Sequence, residues 1–112
     1  MKTGIELITE ERKRQIEKEG WTPEHDAEHV NDELAIAAAC YAAPSNLLKY
    51  KPDGFFGVGN FRVPEFWPWS DEWYKPAADL KKESRIRELQ KAGALIAAEI
   101  DRVLLEEKMK EK

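Results

Sequence analysis

The chain has 112 residues, 42% of them apolar and 36% charged, with 18 basic against 22 acidic side chains and a net charge of -4. That length suits one domain, and the acidic balance argues against a general attraction for nucleic acid or anionic lipid. The longest uncharged apolar run, the ten residues Leu34 to Ala43, is too short to span a bilayer, the opening MKTGIELITEE lacks the apolar core of a signal peptide, and a single cysteine, Cys40, excludes an internal disulfide.

The first helix is expected over about 9–19. Thr9 is a good N-cap, Glu10 and Glu11 suit the positive end of the helix dipole, and Gly20 is a C-cap glycine. The helix has few apolar positions, Ile8 and Ile16 being the clearest. It therefore lies on the surface or turns polar side chains inward. Glu11 and Gln15 share a face one turn apart, with Arg12 beside them.

Thr22-Pro23-Glu24 signals a second helix, with Thr as cap and Pro at the first helical position. The spacing predicts a helix over 23–43, stopped by Pro44. Ala27, Val30, Leu34, Ala38 and Tyr41 recur at three- and four-residue steps, a seam for burial.

The stretch 44–78 is different in kind. It holds five of the six prolines and nine of the eleven aromatics. Proline breaks regular structure, while aromatics at this density must pack. An irregular packed segment is expected, with a turn at Lys51-Pro52-Asp53-Gly54, a small hairpin from Phe55–Phe56 to Phe61–Val63, and a helical turn near Ser70–Trp73.

A long helix over about 80–108 closes the chain. Ile86, Leu89, Gly93, Ile96, Ile100 and Val103 step by 3, 4, 3, 4, 3, which predicts a packing seam that could also serve a homodimer. Gly93, Ala94, Ala97 and Ala98 are small enough to meet the alanines of Leu34–Ala43 closely. The fold class expected is mostly α. It is a single domain over 1–112, a small bundle of three helices (or four), with the aromatic segment between the second and last long helices.

Two constellations could carry chemistry. On an unbroken helix His25, His29 and Glu33 lie one above the other, a ligand set for a divalent metal, with Asp26 as catalytic base or second-layer support. The bland alternative is a pair of histidines at an acid-rich helix start. The second is aromatic: Trp21, Trp67 and Trp69, with Arg12, Arg14 and Gln15 of the first helix, could bind a ligand, or the tryptophans could simply seal a small core. No phosphate-binding glycine loop, dinucleotide fingerprint or Cys-x-x-Cys is present.

Glu11-Arg12-Lys13-Arg14-Gln15, the run Glu19 to Asp26, His29, Glu33-Leu34-Ala35, Tyr41, Trp67-Pro68-Trp69, Trp73, Lys75-Pro76 and Lys91 to Ile96 with Ala98-Glu99-Ile100 together resemble a family of small proteins frequent in phage and prophage genomes. The resemblance runs from about Glu10 to Leu104. It implies a helical, phage-derived accessory protein in the cytoplasm of a bacterial or phage-infected cell, and it brings no established activity. Two functions are expected in competition: a module binding a protein or ligand, and a metal-dependent hydrolase acting on a nucleotide or other phosphorylated small molecule. Small helical nucleotide pyrophosphatases are an analogy of fold, but their Glu-x-x-Glu and Glu-x-x-Asp pairs do not occur here.

Overall fold

A computed structural model describes residues 1–20, 32–56, 61–76 and 81–110. The protein is mostly helical, with three helices and two short strands among these residues. None of the described helices is long and apolar enough to cross a membrane.

Helix α1 runs Gly4–Glu19. It begins five residues before the expected start at Thr9, because Thr3 and Glu6 form a reciprocal capping box. The Thr3 hydroxyl accepts from the Glu6 N–H at 3.2 Å, and the Glu6 carboxylate accepts from the Thr3 N–H at 3.0 Å. Three residues after Thr9 stands Arg12, which cannot complete such a box. Thr9 instead lies inside the helix and donates its hydroxyl to the Ile5 carbonyl at 2.8 Å. Gly20 ends α1 in the left-handed conformation, φ 72°, as its position suggests.

Helix α2 spans Glu33–Ala42. The expected helix over 23–43 is not continuous. Asp32 adopts φ 63°, a left-handed backbone that cannot propagate a right-handed helix, and α2 starts immediately after it. The portion 23–31 of the expected helix lies outside the described residues. Leu34, Ala37, Ala38, Cys40 and Tyr41 form the buried face of α2.

A 3-10 turn at Ser45–Leu47 follows Pro44. The expected irregular segment then contains a hairpin: β1, Tyr50–Phe56, pairs antiparallel with β2, Phe61–Pro64. The turn signal at Pro52-Asp53-Gly54 does not reverse the chain. It is absorbed within β1, where the register shifts between Tyr50 and Phe55. A second 3-10 turn, Asp71–Trp73, is tied to β1 by the Lys51 ammonium, 2.6 Å from the Asp71 carboxylate.

Helix α3, Lys82–Lys110, is the element on which both other helices pack. Its buried residues are Ala92, Ala94, Leu95, Ala98 and Arg102. Small side chains there let α2 approach closely, as expected from the alanines. Arg85 caps the far end of α2, donating to the Tyr41 carbonyl at 3.0 Å and to the Ala42 carbonyl.

The expected seam is on the wrong side of α3. Ile86, Leu89, Ile96, Ile100 and Val103 are between 42% and 54% exposed. The sequence marks a stripe of large aliphatics, but the alanine face wins the core because only small side chains fit against α1 and α2. Gly93 is the exception within that stripe: a Cβ there would lie 2.5 Å from Ile8 Cδ1. Replacing Gly93→Val should lower stability by about 2 kcal/mol, the usual cost of forcing extra carbons into a filled space. The double variant Ile8→Ala/Gly93→Val should recover part of that loss, read as the thermal midpoint of each protein.

Candidate functional site

The inward face of α1 is polar. Glu11 is 3% exposed, Gln15 2% and Arg12 8%. These residues are therefore buried rather than solvated, and each burial demands a partner. Glu11 receives both nitrogens of a forked Arg14, Nε and Nη2, at 2.9 Å each. From the opposite helix Arg87 Nη1 donates to the same carboxylate at 2.7 Å. Arg14 also reaches Glu19 at 3.1 Å. Arg12 turns the other way along α3, 3.6 Å from Asp101.

Burial pushes the Glu11 carboxyl pKa upward, but the hydrogen bonds from Arg14 and Arg87 and their charges outweigh it and hold the group below the usual value. Glu11 is thus a stable carboxylate, with no tendency to act as an acid near neutrality.

Beside this cluster opens a cavity of about 900 Å³. Glu11, Arg14, Gln15 and Glu19 of α1 form one wall, and Arg87, Lys91 and Leu95 of α3 another. Leu34 and Tyr41 of α2 form its base. Trp67, Trp69, Trp73 and Lys75 line a further side. The aromatic segment holds this shape by edge-on packing. Trp67 meets Tyr41 at 5.7 Å and Trp69 at 5.5 Å between ring centroids, nearly perpendicular in both pairs. The Trp67 indole N–H donates to the Ser70 carbonyl at 3.0 Å. The Lys75 N–H donates to the Tyr41 hydroxyl oxygen at 3.0 Å, which fixes the segment to α2.

Lys91 crosses the cavity, donating to the Lys75 carbonyl at 2.9 Å with its ammonium 5.5 Å from the Tyr41 ring centroid. Burial, then the charges of Arg87, Arg14 and Lys75, draw the Lys91 pKa down against the pull of Glu11. Burial raises Tyr41 to about 12 and Cys40 to about 11, so both stay neutral. The buried Cys40 is a small core residue.

Two features mark the cavity as the candidate site. The described lining carries four cations, Arg14, Lys75, Arg87 and Lys91, against two carboxylates, Glu11 and Glu19, in a chain of net charge -4. And the Gln15 side-chain carbonyl, buried in the α1 wall, has no hydrogen-bond partner among the described residues.

The structure brings Arg14, Gln15, Trp67 and Trp69 to this one cavity, while Arg12 lies outside its lining. Trp21, His25, Asp26 and His29 lie outside the described residues. Glu33 opens α2, but the left-handed Asp32 interrupts the helix that would align it with His25 and His29. Among the described residues no three metal-binding side chains converge. Sequence reasoning missed Lys75, Arg87 and Lys91 as site residues. Their signal was present only in combination, since α3 turns Arg87 and Lys91, one turn apart, toward the polar face of α1. Comparison with protein-family models, curated proteins and solved structures finds no match.

The Glu11 cluster makes stability depend on pH. Its carboxyl is lowered in the folded state, so its contribution is complete above the unfolded value of about 4.3 and is lost as pH falls through the folded value. Glu11→Gln should therefore be less stable than the parent at neutral pH, and the gap should shrink below about pH 4. Urea midpoints of both proteins across this range measure it.

Proposed function

We propose that the chain is a phage- or prophage-derived accessory protein that works in the cytoplasm and binds a small anionic ligand carrying a flat ring. The origin rests on the motif resemblance. The ligand class rests on one observation: an excess of positive charge faces a tryptophan wall across a single cavity. Cations attract the anion, and the indole faces accept a ring by stacking. The Gln15 carbonyl, unpartnered among the described residues, adds an acceptor for an N–H or O–H of the ligand. A cavity of about 900 Å³ suits a ligand of nucleotide size.

This ligand-binding reading is favoured over a protein-docking patch because Trp67 is buried and Trp69 half-buried, both turned into a concavity. Of the described tryptophans only Trp73 is well exposed, at 58%. The metal-dependent hydrolase is carried by no comparable observation, since of its four residues only Glu33 is described.

Titration calorimetry and tryptophan fluorescence with adenosine monophosphate, adenosine and inorganic phosphate test the proposal. The nucleotide should bind at least tenfold more tightly than either fragment. Trp73→Ala and Lys75→Gln, both at exposed positions on the rim, should each weaken it several-fold without lowering the thermal midpoint. Absence of binding by all three probes, or binding indifferent to both variants, would overturn the proposal.

A further inference from the structure

The face of α3 that points away from the core is as apolar as the face that enters it. Ile86, Leu89, Ile96, Ile100, Val103 and Leu104 are 46%, 44%, 49%, 54%, 42% and 62% exposed. They lie on one stripe along the helix, opposite Leu95 and Ala98. Helices that are apolar on both faces are covered on both. At about 200 Å² for a fully exposed large aliphatic residue, the six expose on the order of 600 Å² per chain, the upper end of what a monomer normally shows.

We infer that a second copy of this chain covers the stripe, with the two α3 helices packed antiparallel about a two-fold axis. The spacing carries the orientation. The steps 3, 4, 3, 4, 3 from Ile86 to Val103 read the same in both directions. A reversed copy therefore meets the seam in register, placing Ile86 on the partner's Val103, Leu89 on the partner's Ile100 and Gly93 on the partner's Ile96. Because the chain's own Ile8 lies over Gly93, the partner's Ile96 meets Ile8 in that central layer.

Charge at the ends selects the same arrangement. The next layer outward sets Lys82 against the partner's Glu107 at both ends of the seam, by the same spacing. A parallel pair would set lysine on lysine and glutamate on glutamate. Glu107 is 65% exposed and, among the described residues, reaches only to Lys110, at 3.6 Å. Two such stripes would remove roughly 1,200 Å² in all, where stable interfaces begin. The cavity lies on the opposite side of α3, so pairing leaves two outward-facing sites.

Sedimentation equilibrium of the full chain from micromolar to millimolar concentration should show a mass rising to twice that of the monomer. Ile100→Glu and, separately, Leu89→Glu should raise the dissociation constant at least tenfold while leaving the helical circular dichroism unchanged. Leu89→Cys mixed with Ile100→Cys should cross-link under oxidation, and neither should cross-link with itself, because the reversed register keeps like positions apart. A constant monomer mass overturns the inference, as does a dimer indifferent to both glutamate variants. Self-cross-linking of Leu89→Cys would show a parallel pair and overturn the orientation.

Discussion

The Glu11 carboxylate, held between Arg14 of its own helix and Arg87 of α3, is the interaction on which the arrangement of the molecule depends. Helix α1 has too few apolar side chains to be held against α3 by burial alone. It is held by charge. A buried carboxylate is costly unless every oxygen is satisfied, and here three guanidinium nitrogens satisfy it. The same requirement brings two cations to the edge of the cavity, so the contact that positions α1 also sets the charge of the site.

The two faces of α3 divide the remaining work. Small residues, Ala92, Ala94 and Ala98, let α2 and the aromatic segment settle close to the helix axis, with Leu95 filling the centre. Large aliphatics on the other face stay about half exposed, apart from the place where Ile8 covers Gly93. Close approach on one side explains how a chain of this size buries Trp67 and Tyr74 beside Tyr41.

Much of the architecture was legible in the residues, and the failures have physical causes. Gly20 and Pro44 mark helix ends for opposite reasons: glycine turns left-handed at no steric cost, and proline cannot continue the helix. The alanines of α2 announce close packing. The seam of α3 misled because periodicity reports an apolar stripe and not what covers it. Size, not hydrophobicity, chose the core face. The break at Asp32 was invisible, since a lone aspartate in a helical pattern gives no sign that it will turn left-handed. The candidate site was half legible. Arg14, Gln15, Trp67 and Trp69 could be named from their motifs, whereas Arg87 and Lys91 become site residues only through the side-by-side placement of α1 and α3.

The central claim is that one ion cluster couples α1 to α3. A double-mutant cycle on Glu11→Ala and Arg87→Ala, read as the free energy of unfolding in urea, measures that coupling directly. The account predicts a coupling of about 2 kcal/mol, within the range for residues sharing a buried ionic network. Additivity of the two single variants to within about 0.3 kcal/mol, the behaviour of independent sites, would contradict it.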